Sequence, residues 1–442
     1  NTAGTSYGNQ VSFVTLPQAP TVTTQAVSGI TATTATGNGY ITDLGGPNPT
    51  AHGVCWSTGQ NPTTGDNSSN EGAAAATGAF TSNITGLLAK TTYYVRAYAT
   101  NAAGTSYGSQ VSFTTNQQLP TVTTQAVTGI TITTATGNGN ITDLGVPNPT
   151  AHGVCWNTGG NPTTGDSSTN LGPAAATGAF TANINGLSAN TTYFVRAYAT
   201  NAGGTSYGNQ VSFTTDPQAP EVSTLSVINI GTTTARGRGE FDVLGAPNPT
   251  AHGVCWNTIP FSTLAESLDF TDEGAYASAD VFTSNINVLT PDTLYYIRAY
   301  ATNDVDTVYG DPLTFTTLPK LPVVTTQAVS DVTKDDAIGH GTITDRGIPD
   351  LTQHGICWSR APTIPTIGNN DGISRLGAYS GQVPHLFESI ISPLVPFRNY
   401  NVRADATNSA GTAYGAPQPF RSDPDAMAVG TDDVTNINQT SA

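Results

Sequence analysis

The chain repeats one sequence pattern with a period as long as a domain. The seven residues Thr50–Trp56 recur unchanged at 150–156 and 250–256, and a copy with two substitutions occupies Thr352–Trp358. Successive copies begin 100, 100 and 102 residues apart. Solenoid repeats are shorter, about 20–50 residues, whereas a chain of about 100 residues can bury a core of its own. The spacing therefore predicts four complete domains in tandem.

Proline residues mark the joints between these domains. Pro20, Pro120, Pro220 and Pro322 each precede the opening β-prone run of a repeat, which predicts short, stiff linkers. The predicted segments are residues 1–18, terminal hairpin strands of an incomplete repeat; 19–117, repeat one; 118–217, repeat two; 218–319, repeat three; 320–422, repeat four; and 423–442, opening strands of a further repeat or an inter-subunit strand.

Composition excludes several partner classes. The net charge is −16, yet only 10% of the residues are charged, against about 25% in typical proteins. Because the chain is acidic and has only 14 Lys and Arg residues, we expect no basic stripe for nucleic acid or anionic lipid. No apolar run reaches the roughly 18 residues of a transmembrane helix, so we expect no membrane insertion. The single cysteine of each repeat is interpreted as a small apolar strand residue, with a reactive or intermolecular thiol as the alternative.

Alternating apolar residues predict β-strands throughout. In the run 193–199, Tyr193, Val195 and Ala197 fall on one face, as expected of a half-buried strand. A turn and a second run with period two, containing Val211 and Phe213, complete a hairpin. An earlier strand places glycine at 137 and 139, and we expect Trp156 of the facing sheet to lie across these glycines.

A short motif that recurs in each repeat suggests the fold. The pattern Leu289-x-Pro291-x-Thr293-x-Tyr295 resembles the corner between strands E and F of fibronectin type III domains, and its tyrosine recurs as Tyr93, Tyr193 and Tyr400. The resemblance implies an all-β tandem array of seven-stranded immunoglobulin-like, fibronectin type III-like β-sandwiches. It also implies that these tyrosines belong to the structural core, together with Trp56, Trp156, Trp256 and Trp358. Fibronectin type III domains usually carry the tryptophan on strand B, whereas here it lies on strand C. The Thr/Asn/Gly-rich composition is similar to that of bacterial surface and secreted members.

The beginning of the chain copies the last hairpin of a repeat. Residues 1–13 match residues 201–213 almost completely, so Tyr7, Val11 and Phe13 form a candidate inter-subunit strand. An exposed strand of this kind tends to pair with another chain. Two explanations remain open. The sequence is a window of a longer array, or its terminal strands complete a domain of a neighbouring copy and produce a head-to-tail homopolymer.

No catalytic motif appears in the sequence. His52 and Cys55 recur together, but a spacing of three on a strand places them on opposite faces, so we expect no metal there. Recurring aspartates, including Asp43 and Asp66, are interpreted as turn residues, and the Asp66 and Asp166 loops have Ca²⁺ binding as the alternative. We expect no other cofactor. Arg96 and its counterparts point outward beside Tyr98 and its counterparts, as cross-strand pairs or as a sugar or partner site.

Asn-x-Ser/Thr triplets are candidate glycosylation sites. They begin at Asn67, Asn83, Asn140, Asn190 and Asn438. A surface rich in Thr and Ser and poor in charge also suits covalently attached glycans on hydroxyl groups.

These features predict a non-enzymatic structural protein. We expect an extracellular or cell-surface fibre or stalk of repeated β-sandwich beads, polymerising head-to-tail by strand complementation. Two alternatives remain: an adhesin that binds glycan or protein through divergent loops of repeats three and four, and a non-catalytic spacer of a large secreted enzyme.

Overall fold

The computed structural model describes residues 2–425. The chain divides into two compact units, Asn1–Pro217 and Gln218–Ala442. Within the described range, each unit contains two complete repeats, and every repeat forms a β-sandwich of two antiparallel sheets. The fold class expected from the sequence is therefore confirmed.

The strands of the first unit follow the same order in both repeats. Repeat one comprises β1 (Thr21–Ser28), β2 (Ala35–Asp43), β3 (Ala51–Ser57), β4 (Asn67–Ser68), β5 (Gly78–Ile84), β6 (Thr92–Asn101), β7 (Gly104–Tyr107) and β8 (Val111–Thr114). Repeat two comprises β9 (Thr121–Thr128), β10 (Thr134–Asp143), β11 (Ala151–Asn157), β12 (Ser167–Ser168), β13 (Gly178–Asn185), β14 (Thr192–Asn201), β15 (Gly204–Tyr207) and β16 (Val211–Thr214).

The second unit repeats this order with local changes. Repeat three comprises β17 (Glu221–Ile228), β18 (Ala235–Val243), β19 (Ala251–Asn257), a 3-10 helix (Leu264–Glu266), β20 (Asp269–Phe270), β21 (Val281–Ile286), β22 (Leu294–Thr302), β23 (Thr307–Tyr309) and β24 (Leu313–Thr316). Repeat four comprises β25 (Val323–Thr326), β26 (Ala337–Asp345), β27 (Leu351–Arg360), β28 (Gly372–Ile373), β29 (Gly377–Tyr379), β30 (His385–Ile391), β31 (Asn399–Asn408), β32 (Gly411–Tyr414) and β33 (Gln418–Arg421).

Strand pairing gives each repeat the topology of a fibronectin type III domain. In repeat one, β1, β2 and β5 form one sheet and correspond to strands A, B and E. The other sheet has the order β4-β3-β6-β7, with β8 also paired to β6; these are strands C′, C, F and the two parts of G. All of these pairs are antiparallel. The same letters apply to the other repeats, except that repeat four has an additional strand, β29, paired with its strand C.

The glycines of strand B make room for side chains other than tryptophan. A Cβ at Gly137 would lie 2.9 Å from a methyl group of Val154, and one at Gly139 would lie 2.4 Å from Cζ of Phe180. The prediction that Trp156 lies across these glycines is therefore wrong, because the two sheets place Val154 and Phe180 nearest to them. Trp156 is still buried, with 9% of its surface exposed, and packs in the core with Ile184 and Phe213.

The first residues do not form the hairpin expected from their sequence. Residues 2–17 contain no strand, and Tyr7, Val11 and Phe13 are 89%, 85% and 86% exposed. Their counterparts in repeat two pair with strand F of the same sandwich, and no strand F is available to residues 2–17 among the described residues. The predicted strands beyond residue 425 lie outside the described residues.

Candidate functional sites at the corner, the covered strands and the repeat junctions

The recurring tyrosines close the turn between strands E and F. In repeat two, the hydroxyl of Tyr193 accepts a hydrogen bond from the backbone N–H of Ser188 at 3.0 Å. Equivalent bonds of 3.0, 2.9 and 2.8 Å are made by Tyr93, Tyr295 and Tyr400. Tyr193 also stacks on Phe213 of strand G, with 5.8 Å between ring centroids. The corner is a structural element, since the polar end of each ring satisfies a backbone donor.

The recurring histidines are also bound within the fold. Nδ1 of His52 lies 2.8 Å from the carbonyl oxygen of Gly72, and its ring meets Phe80 edge-on at 4.8 Å. His152, His252 and His354 have the same carbonyl contact. Burial lowers the pKa of His354, so its ring favours the neutral form. These imidazoles fasten the segment that follows strand C′.

A loop between strands C and C′ covers the outer face of strand C. The thiol of Cys55 is fully buried and donates to the carbonyl oxygens of Pro62 and Arg96 at 3.3 and 3.4 Å. Burial raises the thiol pKa to about 11 for Cys55 and Cys155 and to about 12 for Cys255 and Cys357. The thiolate is the reactive form, so these cysteines serve as apolar residues.

Glycine in the recurring heptapeptide lets the segment that follows strand C′ approach strand C. A Cβ at Gly153 would lie 2.0 Å from the carbonyl oxygen of Thr169, so any larger residue displaces that segment. Tyr198 reinforces the contact, because its hydroxyl donates to the same carbonyl oxygen at 2.8 Å. Tyr198 is thus buried and does not point to solvent as expected; Tyr98 and Tyr300 are placed in the same way.

The arginines of strand F are paired inside their own sheet. The guanidinium of Arg196 lies 4.7 Å from the ring centroid of Tyr207 on strand G, and its Nε donates to the carbonyl oxygen of Gly208 at 2.9 Å. Arg96, Arg298 and Arg403 make the same two contacts. This arrangement matches the cross-strand interpretation of these residues.

The aspartates considered as Ca²⁺ ligands cap turns. Oδ1 of Asp43 accepts from the N–H of Gly45 at 2.9 Å, and Oδ2 of Asp66 accepts from the N–H of Thr63 at 2.9 Å. Among residues 2–425, no three His, Cys, Asp or Glu side chains are grouped to hold a metal ion. Of the glycosylation candidates, Asn67, Asn83 and Asn190 are exposed, and Asn140 is partly buried. Asn438 lies outside the described residues.

The junction between repeats one and two is bonded on both sides. Asn116 donates its N–H to Thr31 of repeat one at 3.0 Å. Two residues later, Gln118 donates its N–H to Val146 of repeat two at 3.1 Å. Only Gln117 lies between these two anchored residues. In the second unit, Leu318 is bonded to Gly231 and Lys320 to Ile348, with Pro319 between them.

A buried asparagine that sequence reasoning missed holds each incoming strand. The Nδ2 atom of Asn201 donates to the carbonyl oxygens of Gln118 and Pro147 at 2.7 and 2.8 Å. Asn101, Asn303 and Asn408 make the same pair of bonds in the other repeats. Recurrence of asparagine at one position in all four repeats was the signal that could have identified it.

Repeat four departs from the others beneath its covering loop. Asp405 occupies the position of Tyr98, Tyr198 and Tyr300 and is 1% exposed. Neither of its carboxylate oxygens has a hydrogen-bond partner among the described residues. Burial raises the pKa of Asp405 to about 6, although the charge of Arg375 opposes this effect. Repeat four thus lacks the tyrosine hydroxyl that bonds the segment after strand C′ in the other repeats, and buries an unpartnered carboxyl in its place.

Comparison with known proteins identifies structures of similar type. No protein-family model matches the chain, and no curated protein matches it. The chain is similar to domains A168–A170 from titin, with 16% identity over 70% of this chain and 99% of that chain and a TM-score of 0.26. It is also similar to the FN1–FN3 domains of chicken CNTN1, with 13% identity over 68% of this chain and 99% of that chain and a TM-score of 0.23.

With TM-scores this low, the assignment of the fold rests on the strand order and the tyrosine corner within each repeat. In the described residues no helix is long and apolar enough to cross a membrane. Residues 2–425 form an all-β structure of four tandem β-sandwiches, each of two sheets, with an immunoglobulin-like, fibronectin type III-like topology.

Proposed function

We propose that the chain is a non-enzymatic structural protein of an extracellular or cell-surface stalk or fibre. The observation that carries this proposal is the junction between repeats one and two, where a single residue separates two residues anchored in neighbouring sandwiches. A flexible linker needs several residues that are free to rotate. Gln117 offers one such residue, so bending between these sandwiches is restricted. A chain of stiffly joined beads suits a spacer that keeps its length.

The bonding of the recurring polar residues supports a structural role. The tyrosine, histidine, arginine and asparagine side chains that recur in every repeat contact backbone groups of their own repeat. Catalysis requires polar groups directed at a substrate, whereas these groups stabilise turns, loops and junctions. A polar surface with few charges is also consistent with an extracellular location and with attached glycans.

We also propose that residues 7–13 pair with strand F of a sandwich in a neighbouring copy. Their apolar side chains are exposed, and the equivalent residues of repeat two pair with strand F through Tyr198↔Tyr207, Val195↔Val211 and Tyr193↔Phe213. Every sandwich among residues 2–425 already has its own strand G. Residues 7–13 would therefore take the place of strand G in a sandwich of that copy. This contact would be head-to-tail and would build a filament.

Electron spin resonance tests the stiffness of the junction. Nitroxide labels are attached to cysteines introduced at exposed positions of repeats one and two, for example Thr81→Cys and Thr181→Cys, while the buried native thiols stay unlabelled. We expect a narrow distance distribution. Replacing Gln117 with a flexible Gly-Gly-Ser-Gly-Gly segment should broaden it several-fold. Equal widths before and after the insertion would contradict the proposed spacer role.

A pair of matched variants tests the assembly. Val11→Asp/Phe13→Asp places charge on the strand expected to pair, and Asn48→Asp/Gln60→Asp adds the same charge at exposed polar positions outside it. We expect the first variant to abolish concentration-dependent filament formation in electron microscopy and the second to retain it. Filaments that form equally with both variants would remove residues 7–13 from the assembly contact.

A further inference from the structure

Three threonine positions shared by repeats one to three are occupied by arginine in repeat four. They lie after strand C, before strand F and at the end of strand G. The threonines are Thr58, Thr158 and Thr258; Thr91, Thr191 and Thr293; and Thr114, Thr214 and Thr316, and the arginines are Arg360, Arg398 and Arg421. Eight of the 14 basic residues of the chain fall within residues 320–422, namely Lys320, Lys334, Arg346, Arg360, Arg375, Arg398, Arg403 and Arg421. Positive charge is therefore concentrated in this repeat.

The three arginines line one open cleft at the end of repeat four. The cleft has a volume of about 580 Å³ and is lined by Arg360, Ala361, Phe397, Arg398, Asn399 and Arg421. The guanidinium of Arg421 lies 3.5 Å from the centroid of the Phe397 ring, so the ring holds the cation at the cleft. Phe397 itself is 56% exposed, which leaves apolar surface available beside the charges.

The positive charge of this cleft is only partly neutralised. Asp371 lies 3.6 Å from Nε of Arg360, and among the described residues no carboxylate lies within 4 Å of the side chains of Arg398 or Arg421. Three guanidinium groups beside one carboxylate leave unused donors in a planar fork geometry. That geometry matches carboxylate, sulfate and other oxyanions.

We propose that this cleft binds the carboxylate or sulfate groups of an acidic polysaccharide. Guanidinium forks supply charge-assisted hydrogen bonds to the acid groups, Asn399 supplies an amide for neighbouring hydroxyls, and the exposed part of the Phe397 ring offers an apolar contact to a sugar. The net charge of −16 opposes a dense polyanion such as duplex DNA, which carries a negative charge about every 1.7 Å. A polysaccharide has widely spaced charges, and repulsion from the rest of the chain is screened beyond about 8 Å at physiological salt.

Binding of the full chain to defined polymers tests the site. The probes are polygalacturonate for carboxylate, dextran sulfate for sulfate, uncharged dextran, and duplex DNA, measured by biolayer interferometry at low ionic strength. The test variant is Arg360→Thr/Arg398→Thr/Arg421→Thr, which restores the residues of the other repeats. The control Arg236→Thr/Arg238→Thr/Lys320→Thr removes the same charge elsewhere. A reciprocal variant, Thr158→Arg/Thr191→Arg/Thr214→Arg, installs the arginines in repeat two.

We expect the native chain to bind one or both acidic polysaccharides and not uncharged dextran. The test variant should bind at least about tenfold more weakly, the control should stay within about twofold of the native chain, and the reciprocal variant should gain affinity. Equal affinity of test variant and native chain, binding to DNA alone, or no binding to either acidic polymer would overturn the proposal. The junction measurement is independent of these results, so either proposal can fail alone.

Discussion

The buried carboxyl of Asp405 makes the stability of repeat four depend on pH. Its ordinary pKa when exposed is about 3.9, and burial in the folded repeat raises the pKa to about 6. The folded state therefore binds the proton more tightly than the unfolded state. Stability derived from that proton is fully present below about pH 4 and is lost as the pH rises through about 6.

The size of the effect follows from the two pKa values. A tenfold difference in proton affinity corresponds to about 1.36 kcal/mol, so these two pKa values imply that repeat four loses about 2 kcal/mol of stability between pH 4 and pH 7. Asp405→Asn keeps the shape and removes the titration. We expect this variant to match the native chain near pH 4 and to exceed its stability by up to about 2 kcal/mol at pH 7. Asp405→Tyr should restore the hydrogen bond that the tyrosine of the other repeats donates to the segment after strand C′. This variant should also stabilise the repeat at pH 7.

Hydrogen exchange on the full chain measures this difference locally. Protection of peptides from Asn399–Asn408 is compared between the native chain and Asp405→Asn from pH 4 to pH 8, and Thr192–Asn201 of repeat two serves as internal reference. The protection factor of Asp405→Asn divided by that of the native chain should rise with pH for the peptides of repeat four. The same quotient should stay constant for the peptides of repeat two. A ratio that does not change with pH in repeat four would refute the reasoning.

Four further predictions concern the sandwich and its surface. Gly153→Ala should destabilise repeat two by about 1–3 kcal/mol in urea unfolding, because its Cβ overlaps a loop carbonyl oxygen, whereas Gly159→Ala, with open space around it, should be neutral. Tyr193→Phe leaves a backbone N–H of the corner without its partner and should cost about 1–2 kcal/mol in the same assay. The thiol of Cys155 should resist alkylation at pH 8 in the folded chain and react after unfolding; rapid reaction in the folded chain would contradict its burial. Peptides containing Asn67, Asn83 or Asn190 from native material should carry attached glycans in mass spectrometry, and peptides of unmodified mass would exclude glycans at these sites.

Local pattern predicted the strands and the corner of each repeat well. The alternation of Tyr193, Val195 and Ala197 identifies strand F from sequence, because side chains on a strand alternate between faces. The period of the repeat then applies the same interpretation to all four copies. Alternation within a strand is a short-range property, so it can be recognised without knowing how the two sheets face each other.

Contacts between distant segments could not be predicted in this way. Whether Val154 or Trp156 faces Gly137 depends on the offset between two sheets, which alternation within one strand does not determine. Tyr98 has the pattern of an outward residue, but a loop about thirty residues earlier in the chain folds over it. The arginine cleft of repeat four was missed for a different reason, since Arg360, Arg398 and Arg421 are far apart in sequence and become visible only when the repeats are compared position by position.

Electron microscopy of the native material tests the structural role most directly. The account predicts fibres or stalks of stiffly joined β-sandwich beads with a regular axial spacing. Images of separate chains that bend freely at the joints between beads would contradict it.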